Sequence, residues 1–378
     1  FSGATSFNQD IGSWDVSNVT SMLGTFSSTD SFNQDLSTWD VSNVTNMNFM
    51  FQSSGFNQSL GDWDVGNVAS MVRMLRFSGL STENYNQTLI GWSNLPSLQR
   101  GVGLGAEGLY YCGPAVETAR MELMAGGFDN PFWSINDSGN GCPLVMTWKT
   151  DNPGFSEDNQ ILIQTGFYDD NRYFVNWKKV DNPAISGKTN FFTADALITF
   201  PEPGIYEIEL VGKLEHFEFG FGGSSDPEKL LSIESWGGQE WRSFSSTFNG
   251  CKNLVINATN APDLSQVLDM SSAFRDATAL NSPIDHWDVS NVQNMSSLFF
   301  RAENFNQPLN NWDVSAVNNA SSMFSQARNF NQSLSTWDLR RASNLSRMFN
   351  GASSFNQDLP GWVVSSNNLS GMFGDAIA

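Results

Sequence analysis

Apolar positions return along this chain at a fixed interval. Trp287, Trp312, Trp337 and Trp362 each stand 25 residues after the last, and Phe305, Phe330 and Phe355 keep the same step. Near the N-terminus Trp14, Trp39, Trp63 and Trp92 step by 25, 24 and 29 residues, accompanied by Phe7, Phe32, Phe56 and Tyr85. The shared unit reads F-N-Q-x-L-x-x-W-D-V-S-N-V-x-x-M-x-x-x-F. It recurs about eight times, which chance does not produce.

Within one unit, Trp39 and Val41 alternate with Asp40 and Ser42. This period of two predicts a short strand with Trp and Val inward. Val44, Met47 and Phe51 follow at spacings of three and four, which predicts a helical or 3-10 turn with one buried face. Phe32 and Leu36 fill the core from the other side, and F-N-Q is a polar turn. A 25-residue step fits one layer of a repeat solenoid built from parallel strands with short helices or 3-10 turns. Stacking would set Asn33 beside Asn8 and Asn57, a ladder able to satisfy backbone groups from layer to layer.

The pattern divides the chain into four. Residues 1–95 form a first array. Residues 96–142 hold a Gly-rich loop and a helix near Val116–Met124, expected to cap that array. Residues 143–222 contain "QILIQTG", "RYFVNWKKV", "ALITF" and "GIYEIELVGKL", strand-like runs that predict a small all-β sandwich. Residues 223–378 form a second array, in which Val267, Met270 and Phe274 match Val292, Met295 and Phe299.

Composition narrows the function. The chain has 378 residues and 40% hydrophobic content, enough to bury a core. A formal net charge of -20 opposes nucleic acid and anionic membrane surfaces as partners. No apolar run reaches 18 residues, so no segment is expected to cross a membrane as a helix. The chain opens and closes inside a repeat, which suggests a segment of a longer polypeptide. Of three cysteines, Cys112 and Cys142 can pair and close a loop of about 30 residues, worth roughly 3 kcal/mol. Two unrelated thiols are the alternative. Cys251 reads as a small buried apolar residue. No CxxC occurs and His216 and His286 are isolated, which argues against zinc.

The unit resembles the BspA-like leucine-rich repeat family of bacterial surface proteins, also described through mycoplasma lipoproteins. Trp14 to Val19, Trp39 to Val44 and Trp287 to Val292 carry the likeness, which covers roughly 1–95 and 225–378. The run "LYYCGPAVETARMEL…GNGC" is similar to segments closing such arrays in marine Bacteroidetes surface proteins. Residues 143–222 resemble a PKD-type, immunoglobulin-like domain through "RYFVNWKKVDN" and "FPEPGIYEIEL". They lack its Gly-Asp-Gly, since Lys178, Lys179 and Val180 follow Trp177. The resemblance implies a leucine-rich-repeat-like solenoid in two arrays around a sandwich, on the cell surface, often in adhesins, with no catalytic residues.

Stacked acids are the sharpest candidate site. Asp15, Asp40 and Asp64 form one row; Asp263, Asp288, Asp313 and Asp338 form another. Like charges on adjacent layers repel, so a Ca²⁺ row is one expectation, calcium being a hard cation that takes carboxylate ligands. The other is that each Asp accepts hydrogen bonds from the Ser and backbone N–H of its own turn. Trp beside Asn, Gln and Asp suggests carbohydrate stacking, but its phase with Val places it in the core. The N-x-S/T triplets Asn18-Val19-Thr20 and Asn43-Val44-Thr45 are read as structural. Gly103 to Gly108 spells G-x-G-x-x-G without a βαβ context, and neither GxSxG nor HExxH occurs. The expectation is a non-enzymatic extracellular or cell-surface adhesion module that binds a glycan, a matrix protein or a cell partner. The alternative is a structural subunit of an extracellular filament or surface layer that self-associates end to end.

Overall fold

The computed structural model describes residues 1–125, 133–166, 171–189, 191–220, 224–359, 361, 362, 364 and 368–376. They fall into two compact units, Phe1–Cys142 and Pro143–Ala378, each with its own apolar core. The expected boundary at 222/223 lies outside the described residues.

In both units the repeats are chains of turns. Each chain carries two left-handed residues four apart: Gly24 and Ser28, Phe49 and Ser53, Arg73 and Phe77. The second unit repeats this at Ser272 and Asp276, Ser297 and Arg301, Ser322 and Gln326, and Arg347 and Gly351. A left-handed residue cannot continue a right-handed helix, so the spacing of Val44, Met47 and Phe51 does not become the expected helical turn. Instead alternate N–H groups point at the next repeat. Met22, Gly24, Phe26 and Ser28 donate to the carbonyls of Asn46, Asn48, Met50 and Gln52, each at 2.8 Å.

These observations overturn the expected fold class. Trp39–Val41 belongs to no strand, and Ser42 opens a turn. The repeats are joined by single parallel bridges, Ser21 to Asn46 to Ser70 and Asp269 to Asn294 to Asn319 to Asn344 to Asn368. They build no parallel-strand solenoid with helices. The named strands lie in a mixed six-stranded sheet, an antiparallel pair and a short parallel pair, with only two α-helices among the described residues. The inward face is nevertheless as read: Trp39, Val41, Val44, Met47 and Phe51 are all buried. Aromatic rings also register from repeat to repeat. Phe248, Phe274, Phe299, Phe324, Phe349 and Phe373 stack at 5.5 to 5.6 Å between centroids.

The fourth repeat departs from the others. Its Tyr85–Trp92 stretch lies in helix α1 (Thr82–Ser93), whose N-cap Ser81 accepts the Asn84 N–H at 3.2 Å. Tyr85, Leu89 and Trp92 line its buried face. Next come β1 (Val102–Gly105), α2 (Pro114–Met124), which starts with a proline, and β2 (Trp133–Asn136), parallel to β1. The Asp137 carboxylate joins α1 and α2, accepting from Tyr85 Oη at 3.1 Å and Arg120 Nε at 2.9 Å.

The second unit begins with β3 (Leu144–Lys149), β4 (Gln160–Ile163), β5 (Arg172–Lys179), β6 (Ser186–Lys188), β7 (Ala196–Thr199) and β8 (Ile205–Lys213). It continues with β9 (Leu230–Ser235) and β10 (Val255–Ile256). One six-stranded sheet runs β10-β9-β3-β8-β5-β6, and β4 pairs with β7 separately. Alternation sets Leu144, Met146 and Trp148 of β3 and Tyr206, Ile208 and Leu210 of β8 into the core. The strands expected as a sandwich share one compact unit with the second repeat stretch. Strand β9 lies antiparallel on β3 and β10 parallel on β9, so the sheet runs into the repeats and one core extends from Leu144 to Met372.

A buried polar cluster fixes the loop before β4. Asp226 Oδ1 accepts the N–H groups of Phe155 (2.7 Å) and Ser156 (2.9 Å), and Oδ2 accepts Ser156 Oγ (2.6 Å) and the Leu162 N–H (2.7 Å). The Lys229 ammonium donates to Ser156 O and Oγ (both 2.9 Å), Glu157 O (2.8 Å) and Gln160 O (3.0 Å). Neither Asp226 nor Lys229 is exposed to solvent.

Candidate functional site

The acidic rows resolve into turns. The carboxylate of Asp15 accepts the Ser17 N–H at 3.0 Å and its hydroxyl at 2.6 Å; Asp40 does the same with Ser42 at 3.1 and 2.6 Å. Asp64 accepts the Gly66 N–H, Asp263 that of Ser265, Asp288 that of Ser290 and Asp313 that of Ser315, at 2.9 to 3.0 Å. In the last repeat Asp338 accepts both the backbone and the guanidinium of Arg340. The Ser hydroxyl, then the backbone N–H, holds the carboxyls of Asp15, Asp40 and Asp288 below the usual carboxylate range. The Arg340 side chain draws Asp338 down to about 2. Repulsion from Asp15 is the weakest influence on Asp40, so the row is stabilised within each turn. Among the described residues no group of three or more His, Cys, Asp or Glu is placed to hold a metal ion.

The tryptophans belong to the core. Trp39, Trp63, Trp312 and Trp337 are buried, and their indole N–H groups reach Ile11 O, Leu36 O, Ile284 O and Leu309 O at 2.9 to 3.1 Å. Trp14, on the first repeat, is 53% exposed. Asn33 is a rung: its N–H donates to Asn8 Oδ1 at 3.0 Å and its Oδ1 accepts the Asn57 N–H at 2.8 Å. Gln34 Nε2 also reaches Asn8 Oδ1, at 2.8 Å. The same ladder joins Asn281, Asn306, Asn331 and Asn356. Asn43 of one N-x-T triplet donates to Ser17 O at 2.8 Å.

The remaining candidates are structural in place. Cys112 and Cys142 form a disulfide, and Cys251 is a buried free thiol. Gly103 to Gly105 lie on β1, and no helix follows the Gly-rich run directly. The ring of His216 is buried against Ser243 O at 3.0 Å, and His286 is exposed. No helix among the described residues is long and apolar enough to cross a membrane.

Sequence reasoning missed one surface cluster. Phe77 is 47% exposed at a left-handed position, φ +53°. The Arg76 guanidinium lies 4.8 Å from its ring centroid. Gln52, Arg76 and Glu107 occupy equivalent places on successive layers, since the Ser53 N–H donates to Arg76 O (2.9 Å) and the Phe77 N–H to Glu107 O (2.8 Å). Among the described residues Gln52 Oε1, Arg76 Nε and Glu107 Oε2 have no hydrogen-bond partner. The available signal was "MVRMLRFSG", where Arg76 and Phe77 replace Gln52 and Ser53 of the preceding repeat and Arg73 replaces Phe49.

No curated protein and no solved structure matches the chain. A family model described as "Mycoplasma protein of unknown function, DUF285" matches residues 1–92, 242–362 and 309–378, the two repeat stretches and more than half of the sequence. The chain therefore belongs to that family.

Proposed function

We propose that this chain is a non-enzymatic adhesion module of a larger bacterial repeat protein, extracellular or on the cell surface, that binds a glycan, matrix or cell partner through its repeat face. One observation carries the reading: like outward groups are presented again at each step. Asp288, Asp313 and Asp338 stand 25 residues apart in similar turns. Such a face offers equivalent contacts to a repetitive partner, and avidity can exceed any one contact. The Cys112–Cys142 disulfide favours an oxidising compartment. The likeness of the repeats to BspA-like surface proteins, and of 143–222 to PKD-type domains, is part of this reading and lies beyond the family match.

The test applies purified chain to a glycan array, matrix-coated surfaces and bacterial cells, with electron microscopy alongside. Monomers that bind one of these support adhesion. Ordered fibres with no ligand would replace it with the filament or surface-layer alternative. A catalytic turnover abolished by one substitution would overturn the non-enzymatic reading.

A further inference from the structure

We infer that Phe77, with Arg73 and Arg76, forms a binding site for a uronic-acid-containing glycan on the first unit. This rests on the adhesion reading and names a site and ligand class within it.

The repeats supply an internal control. Positions equivalent to Phe77 hold Ser28 and Ser53 in the first unit and Asp276, Arg301, Gln326 and Gly351 in the second, all left-handed. The backbone therefore needs no aromatic there, and a bulky residue at positive φ is disfavoured. The fold also makes room for the ring: a Cβ on Gly108 would lie 2.6 Å from Phe77 Cδ1. An exposed ring kept against conformational preference, beside a glycine that clears space for it, fits a platform for the apolar face of a sugar.

Charge selects the sugar. The first unit has no lysine and four arginines. Arg120 pairs with Asp137, and Arg100 has interactions of its own. Arg73 and Arg76 lie three residues apart on the Phe77 turn, and among the described residues no carboxylate pairs with either. A comparable ring in the second unit, Phe300, also meets arginines, Arg275 at 4.3 Å and Arg301 at 5.2 Å. There Asp276 pairs with both, so that cluster satisfies itself. At Phe77 it does not: among the described residues Gln52 Oε1, Arg76 Nε and Glu107 Oε2 stay without partners, although buried polar atoms are rarely left so. A sugar carboxylate would take the arginines.

The experiment titrates the full chain with an oligogalacturonate and with a neutral malto-oligosaccharide of equal length, by calorimetry. The expected result is binding of the acidic sugar alone, weakened by salt. Phe77→Ser and Arg76→Ser should each weaken it about tenfold or more, with unchanged melting, because Ser28 and Ser27 hold the equivalent places. Binding unaltered in both variants, or no binding by the unsubstituted chain, overturns the site. Attachment of the unsubstituted chain and Phe77→Ser to the same surface, with no oligogalacturonate binding, would remove this site and leave the adhesion reading standing. Attachment to nothing in the panel would remove that reading itself.

Discussion

Replacing Lys229 with methionine should destabilise the second unit by about 3–5 kcal/mol, since buried carbonyls lose their donor and buried Asp226 loses a nearby positive charge. Methionine keeps most of the apolar stem and removes the ammonium. Three backbone carbonyls, Ser156 O, Glu157 O and Gln160 O, then lose a donor at 2.8 to 3.0 Å. Each unsatisfied buried acceptor costs roughly 1–3 kcal/mol. Water reaching the exposed Glu157 edge offsets part of that. Asp226, wholly buried, keeps its four donors but loses a nearby positive charge. Relief of the ammonium's own desolvation opposes these losses.

The assay is urea unfolding of the full chain, with amide exchange read at Phe155, Ser156 and Leu162, whose N–H groups bond Asp226. Protection there should fall further than in the distant repeats. An Asp226→Asn cycle should show coupling of about 0.5–3 kcal/mol, because both side chains meet at Ser156. A Lys229→Met protein within about 1 kcal/mol of the parent, with those amides still protected, would refute the reasoning. The ammonium would then be a replaceable space-filler.

Asn33→Ala should cost about 1–3 kcal/mol in a denaturant melt, because the Asn57 N–H loses its acceptor. Cys112→Ser should lower the stability of the first unit by roughly 3 kcal/mol, seen as an earlier melt that a reductant reproduces in the parent protein. Asp15, Asp40, Asp288 and Asp338 have carboxyls held below their unfolded value near 4, so their contribution is present above about pH 4. It disappears as pH falls through the folded values, about 2 for Asp338. Asp338→Asn and Asp40→Asn should therefore flatten the acid limb of a pH–melting curve; an unchanged limb would contradict the assignment. Millimolar Ca²⁺ added to chelator-treated protein should leave the melting temperature unmoved, and a rise lost in Asp40→Asn would restore the ion row.

The burial pattern was readable from residues alone. Trp39, Val41, Val44, Met47 and Phe51 are inward because transfer from water acts on each side chain, and their order in the chain records it. The Asn33 rung was readable for a related reason: a repeat of constant length stacks like on like. Backbone conformation was not. Phe56, Leu60 and Trp63 have the same spacing as Tyr85, Leu89 and Trp92, yet the first set lies outside any helix and the second in α1. Ser81 caps that helix locally. The corners at Phe49 and Ser53 are left-handed because their N–H groups bond the next repeat.

The candidate site divides the same way. The Asp40 carboxylate and its partner Ser42 are two residues apart, so the turn that satisfies it was one of two open readings of the sequence. Phe77, Arg76, Gln52 and Glu107 meet only through stacking, and β9 joins β3 across some 80 intervening residues. The sequence alone determined which side chains leave water and at what period they recur, since hydrophobic transfer depends on the side chain itself. Tertiary structure decided the sign of φ at each corner, the strands that pair and the polar groups left unpaired. Those depend on hydrogen-bond partners that only the folded chain brings within reach.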